Sequence, residues 1–275
     1  MKQLLNSKTL VRIVFCTFLA AIIYIAIKLF MAQSGHVLME NNVDAKSDYA
    51  LMLLQCVLGM VVMLLPGILE RKLMITIPSG MVVAFALFLF CAVYLGEVHY
   101  FYFRVPHWDT LLHTFSGFAL GTVGFSIIAL LNKSKSVTLS LSPAFVAIFA
   151  FCFAVTIGVV WEIYEFSVDS FSNLNMQKYI LESGESLAGR DALMDTMKDL
   201  IVDSLGALVT SIVCYVSMKR KAGWLERMQI RRNRPAPVPV HVYDMVNERP
   251  FMPHTRPANA VLEARSEPEK LRVAI

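Results

Sequence analysis

The sequence predicts an all-α integral membrane protein of about six transmembrane helices, with both termini cytoplasmic and a disordered C-terminal tail. Three observations carry that prediction. Hydrophobic residues make up 56% of the 275-residue chain and charged residues 17%, too little charge to cover a soluble domain of this size. The apolar residues come in runs of about 20, the length that crosses a hydrocarbon core roughly 30 Å thick. Lysine and arginine crowd alternate ends of those runs, as they do in cytoplasmic loops.

In chain order, runs at 12–32, 50–69, 73–95, 111–131, 143–166 and 200–218 read as spans. The first is too long for a signal-peptide core and reads as an anchor. The Glu70-Arg71-Lys72 turn is so short that the second and third spans must pack as an antiparallel hairpin. Residues 96–110 hold Tyr100, Phe101, Tyr102, Phe103 and Trp108, an aromatic set suited to the headgroup region. In the fourth span Gly117, Gly121 and Gly124 let a neighbouring helix come close. Residues 167–198 form the longest connection between spans; with Gly184, Gly189 and several acids it reads as a lid, and Arg190 is expected over the outer opening.

Orientation follows from the basic residues. One side carries Lys2, Lys8, Arg12, Arg71, Lys72, Lys133, Lys135, Lys219, Arg220 and Lys221. The other carries Lys46, Arg104, Lys178, Arg190 and Lys198 among more numerous acids, which places both termini inside. The polytopic domain is therefore 1–218, and 219–275 is a basic, proline-rich cytoplasmic tail. Its start, with Trp224 and Leu225 among the charges, suits an anionic leaflet; from Pro235 the composition predicts disorder. His241 and His254 in the tail are too isolated to read as metal ligands. The net charge of +4 sits at cytoplasmic span ends and in the tail and calls for no nucleic acid. The five cysteines, Cys16, Cys56, Cys91, Cys152 and Cys214, fall inside spans without CxxC pairing and read as packing residues.

Ionisable residues in or beside membrane spans are expensive and by default mark a site. Here three spans carry them toward one end. Asp109 and His113 are four residues apart at the start of the fourth span. Glu162, Glu165 and Asp169 follow a helical rhythm at the end of the fifth, and Asp195, Asp199 and Asp203 do so at the start of the sixth. Surface charge at helix ends explains Asp109, Asp169 and Asp195. It does not explain His113, Glu162 or Asp203, each about a turn inside apolar sequence. The candidate catalytic set is thus His113, Asp109, Glu162, Glu165, Asp199 and Asp203. Carboxylates with an imidazole suit a divalent cation such as Mg²⁺, Mn²⁺, Zn²⁺ or Ca²⁺, held by His113, Glu162, Glu165, Asp199 and Asp203. The same groups suit metal-free acid–base work or proton passage equally well. Arg190, whose fork fits phosphate or carboxylate, and His107 are candidate substrate contacts.

The three motifs Trp108-Asp109-Thr-Leu-Leu-His113-x-x-Ser116-Gly117, Trp161-Glu162-x-x-Glu165-Phe-x-x-Asp169 and Asp195-Thr-Met-x-Asp199-Leu-x-x-Asp203-x-x-Gly206-Ala207 resemble the YjdF-type family of bacterial inner-membrane proteins over about residues 51–218. More distantly the chain resembles VanZ-type membrane proteins. Their pattern sets Asp–x3–His at one span, Glu near the end of the next, then Gly-Arg and an Asp before Gly-Ala. Asp109 with His113, Glu162, Gly189-Arg190, Asp199 and Gly206-Ala207 fit it, while Glu165 and Asp203 stand where that pattern has Gln and Asn. The first resemblance implies a multi-pass protein of the bacterial inner membrane and no particular activity. The second implies a link to envelope or glycopeptide tolerance.

Three functions remain in competition. The leading one is a metal-assisted enzyme acting on a lipid or lipid-linked envelope substrate at the outer interface, where the acid/His cluster meets headgroups. A proton- or cation-coupled transporter is the second, although the inner halves of the spans read as nearly all apolar. A non-catalytic envelope or scaffold protein, its tail recruiting a partner, is the third.

Overall fold

The computed structural model describes residues 7–32, 45–132, 141–172, 174–181, 183–220, 222–223 and 228–232, all within one compact unit. The chain is a bundle of helices, six of them long and apolar enough to cross a membrane. Helix α1 is Ser7–Met31; α2 (Ala45–Met63) runs on into α3 (Leu65–Leu73). Pro66 lies in the first turn of α3 and breaks the second span there, because proline lacks the N–H the preceding turn would bond. A two-residue strand β1 (Ile75–Thr76) follows, then α4 (Ser79–Leu89). The helix continues through Val98 as a π-helix, Phe90–Val98. A single turn α5 (Phe101–Arg104) leads to α6 (Trp108–Asn132), α7 (Pro143–Ser172), α8 (Arg190–Lys219) and β2 (Arg231–Arg232).

Several helices outrun the apolar segments that announce them. Helix α8 begins at Arg190 rather than Leu200, so Asp195, Asp199 and Asp203 all stand on one continuous helix. Helix α4, by contrast, starts at Ser79, later than the expected 73, because Glu70, Arg71 and Lys72 lie inside α3 and the turn falls after it. The tail expected from Pro235 onward lies outside the described residues, as do 133–140 and Trp224 with Leu225. Just before it, Arg231 and Arg232 pair antiparallel with Thr76 and Ile75, tying the segment beyond the last helix to the turn between the second and third spans.

Two helical trios build the bundle. Helices α1, α2 and α4 close around Phe18, Ile25, Met52, Cys56, Leu89 and Val93. Helices α6, α7 and α8 close around Phe125, Ile128, Val146, Ala150 and Cys214. Phe88 stacks on Phe115 between them, ring centroids 5.9 Å apart. Leu174 and Met176, just past α7, bury against Leu51 on α2 and form a second bridge. The many exposed leucines, isoleucines and phenylalanines on the outer helix faces are what a lipid-facing surface requires.

Candidate functional site

The second trio is drawn together by glycines where side chains would collide. A Cβ on Gly117 of α6 would strike the backbone carbonyl of Asp203 on α8, and one on Gly206 of α8 would strike that of Thr114 on α6. The two helices therefore meet backbone to backbone at the level of the acids. From the other side, Gly158 of α7 leaves room for the Asp203 carboxylate, which a Cβ would approach to 2.9 Å.

Asp203 is the anchor of this junction. Its Oδ2 lies 3.1 Å from His113 Nδ1, and its Oδ1 accepts a 2.5 Å hydrogen bond from the Ser116 hydroxyl. At 3% exposure it is out of reach of bulk water. With Nδ1 engaged, the other ring nitrogen, Nε2, faces Asp109 Oδ1 at 3.7 Å. Asp109, His113 and Asp199 each offer a ligand atom, all within 4.8 Å of one another. A carboxylate on one side of an imidazole and ligand oxygens on the other is how metal-binding histidines are commonly held.

Two carboxylate oxygens here have no hydrogen-bond partner. Asp199 Oδ1 and Glu162 Oε1 are both buried and unsatisfied, and a buried acceptor left so costs about 1–3 kcal/mol, more if charged. A cation at the Asp109–His113–Asp199 trio would satisfy the Asp199 oxygen; Glu162, Glu165 and Asp203, also expected as ligands, are not part of that trio. Glu165, a turn along α7, lies within electrostatic reach of Glu162, Asp109 and His113. Asp195 is half-buried near Asp109. An imidazole with several carboxylates fits divalent cations from Mg²⁺ to Zn²⁺.

Some expected positions take other roles. Asp169, expected as a surface charge, is 6% exposed and accepts the backbone N–H groups of Met176 and Gln177 at 2.7 and 2.9 Å, so it folds the loop after α7 back onto that helix. Asp109, explained from sequence as surface charge, belongs to the ligand trio. Arg190 is exposed at the first residue of α8. His107 is exposed too; with φ of 61° it turns the chain into α6, its carbonyl accepting the Leu111 N–H.

Sequence reasoning overlooked the neighbouring polar centre. Lys178 of the loop between α7 and α8 pairs with Glu97 on the π-helix at 2.8 Å, and the Gln55 amide donates to the same Glu97 oxygen at 3.1 Å. Tyr100 donates to Asp48 at 2.6 Å. Tyr102 packs on the bare backbone of Gly96, and Lys178 rides over its ring 5.1 Å from the centroid. Burial, then Glu97, Asp109, Glu165 and Asp199, push the Tyr102 hydroxyl well above the usual phenol range. The available cue was Glu97 itself, a lone acid at the end of an apolar run.

Below the acids the interior is not wholly apolar. Ser126, Thr122, Thr210, Ser211 and Ser217 are buried along α6 and α8. Thr210 donates across the interface to the Phe118 carbonyl at 3.1 Å, and Ser126 to the Met228 carbonyl at 3.3 Å. The Ser211 hydroxyl has no partner. Cysteines are free, with Cys56 and Cys214 buried in the two cores as packing groups.

A family model described as a predicted membrane protein, DUF2238, matches residues 10–220. An uncharacterised protein of Thermotoga maritima is 30% identical over 134 residues, covering 48% of this chain and 60% of its own length. The chain thus spans about 60% of that relative's length. No solved structure matches. The chain belongs to the DUF2238 family of predicted membrane proteins, the YjdF family that its three motifs resemble.

Proposed function

We propose that this DUF2238-family membrane protein binds a divalent cation through Asp109, His113 and Asp199 and is a metal-assisted enzyme. Its substrate is the headgroup of a lipid or lipid-linked envelope molecule at the outer face of a bacterial plasma membrane. One observation carries the reading: Asp203 holds His113 by Nδ1, leaving Nε2 beside Asp109 and the unpartnered buried oxygen of Asp199.

The chain's own residues divide the labour. Asp203 and Ser116 fix the ring and its tautomer. Glu162, with one oxygen free, supplies a further ligand or accepts a proton from an attacking water. Glu165 stands next to it to share that proton. A bound cation would polarise a phosphoryl or carbonyl oxygen of the headgroup. Arg190 and His107, exposed at the starts of α8 and α6, are placed to meet the polar part of a substrate arriving from the interface.

Elemental analysis of detergent-purified protein tests the cation, and headgroup release from vesicles of bacterial polar lipids tests the chemistry. About one divalent ion per chain, absent from His113→Ala, is expected. Protein that neither retains nor rebinds a cation overturns the reading. The buried hydroxyls beneath the acids favour a second reading, a proton- or cation-coupled carrier, since they continue polar groups toward the opposite ends of α6 and α8. Ion flux into proteoliposomes with the lipids left intact would select it.

A further inference from the structure

The outer loop drives a lysine into the protein beside the acids. After α7 the chain doubles back at once. Asp169 caps Met176 and Gln177, and the Gln177 side chain donates to Thr196 on α8 at 3.1 Å. The Asn175 side chain bonds both the N–H and the carbonyl of Ile180. Leu174 and Met176 bury against Leu51. Each tie fixes the one residue inside this frame that carries a charge, Lys178. Its backbone is left-handed, φ 53°, a conformation costly for any residue with a Cβ and kept where surroundings over-determine it.

The ammonium is enclosed. Glu97 lies at 2.8 Å, with the Tyr102 and Phe103 rings at 5.1 and 5.6 Å from centroid to nitrogen. Burial works to discharge Lys178, yet Glu97 beside it, then Glu165 and Asp109, hold its proton more firmly than in an ordinary lysine. Within electrostatic reach of the ammonium stand Glu97, Glu165, Asp109, Asp195 and Asp48; the other cations of this polar region are His113, between Asp109 and Asp203, and Lys198, which acts on Asp195. Packed carboxylates need compensating positive charge.

We propose that Lys178, clamped to Glu97, is the internal counter-cation of the acidic site, so that its ammonium and a divalent cation compete to balance the same carboxylates. The inference rests on the cation reading above and assigns that site its regulation. Because coupling is reciprocal, whatever affinity Lys178 takes from the cation, the cation takes from the hold of Lys178 on Glu97. Loading the site therefore loosens the Lys178–Glu97 clamp and the turn that carries Lys178. Lys178 is a positioning residue that touches no substrate.

The test is Mn²⁺ binding to the detergent-purified full chain, followed by electron paramagnetic resonance. Lys178→Met should bind Mn²⁺ at least about tenfold more tightly, as removal of one charge from a poorly screened site predicts. Lys178→Arg, which keeps the charge, should match the parent. A merely structural lysine predicts weaker binding in Lys178→Met. Equal or weaker binding there, with a parent that binds, overturns the counter-cation while leaving the cation site standing. Binding by the variant alone supports it, since the lysine then fills the parent site. Binding by neither protein overturns both. If Lys178→Met does not fold, Lys178→Gln, which removes the charge but keeps an amide that can donate to Glu97, carries the same expectation and the same refutation.

Discussion

Asp199 and Asp203 stand one turn apart on α8 and are both buried, but their partners differ. Asp203 accepts from Ser116 and meets His113, whereas Asp199 keeps an oxygen with no partner. Asp199→Asn should therefore leave cation-free protein as heat-stable as the parent or more so, and abolish the rise in melting temperature that added Mn²⁺ produces. Asp203→Asn should lower stability with or without metal, by about 1–3 kcal/mol, and weaken cation binding by roughly 10–100-fold through the loosened ring. Melting curves of both variants with Mn²⁺ and with chelator check this; matching behaviour would refute the division of roles. Residue spacing made these acids and His113 legible, because four-residue steps share a helix face. It did not separate ligand from support, since that depends on which neighbour each oxygen meets across the bundle. Lys178 left less trace still: its burial depends on a left-handed backbone turn in a loop, for which a lysine gives no local signal.

Helices were legible to the extent that apolar runs mark them. The start of α8 at Arg190 shows where that rule stops: its first turns carry Asp191 and Asp195 at the helix N-terminus, which suits the macrodipole and needs no apolar run. The π-helix at Phe90–Val98 had no sequence sign, for its residues are ordinary apolar ones with a glycine and a glutamate. The glycines were legible as places of close approach, but not the helices they face. Gly117 and Gly206 prove reciprocal, each clearing space for the other helix's backbone. Gly117→Ala should force α6 and α8 apart, cost about 1–3 kcal/mol as overpacked interiors do, and reduce Mn²⁺ affinity by moving His113 relative to Asp199. Gly67→Ala, with nothing within 4 Å of the added atom, is the control: it should leave Mn²⁺ affinity unchanged and raise stability by at most about 1 kcal/mol through helix propensity. Differential scanning fluorimetry beside Mn²⁺ titration measures both effects.

At the scale of the molecule, the six spans and the family were readable from hydropathy and three motifs. The division into two trios was not, because helix pairing in lipid follows packing rather than hydrophobic pattern. The acid site belongs to the second trio, and the first reaches it through Glu97 and Lys178. The basic residues predict which way this assembly faces. A reporter inserted at 133–136 or after Met218 should report cytoplasm, and one within 167–198 the opposite side. The reverse pattern would move the acids to the inner leaflet and remove the outer-headgroup substrate from consideration. The small ladder of Ile75 and Thr76 with Arg232 and Arg231 bears on how such a chain is made. The turn carrying Ile75 leaves the ribosome after two spans; its partner arrives only after all six. Until then the ladder cannot form, and a chain stopped at Lys219 never forms it. The ladder is a latch that only a chain translated beyond its last span can fasten.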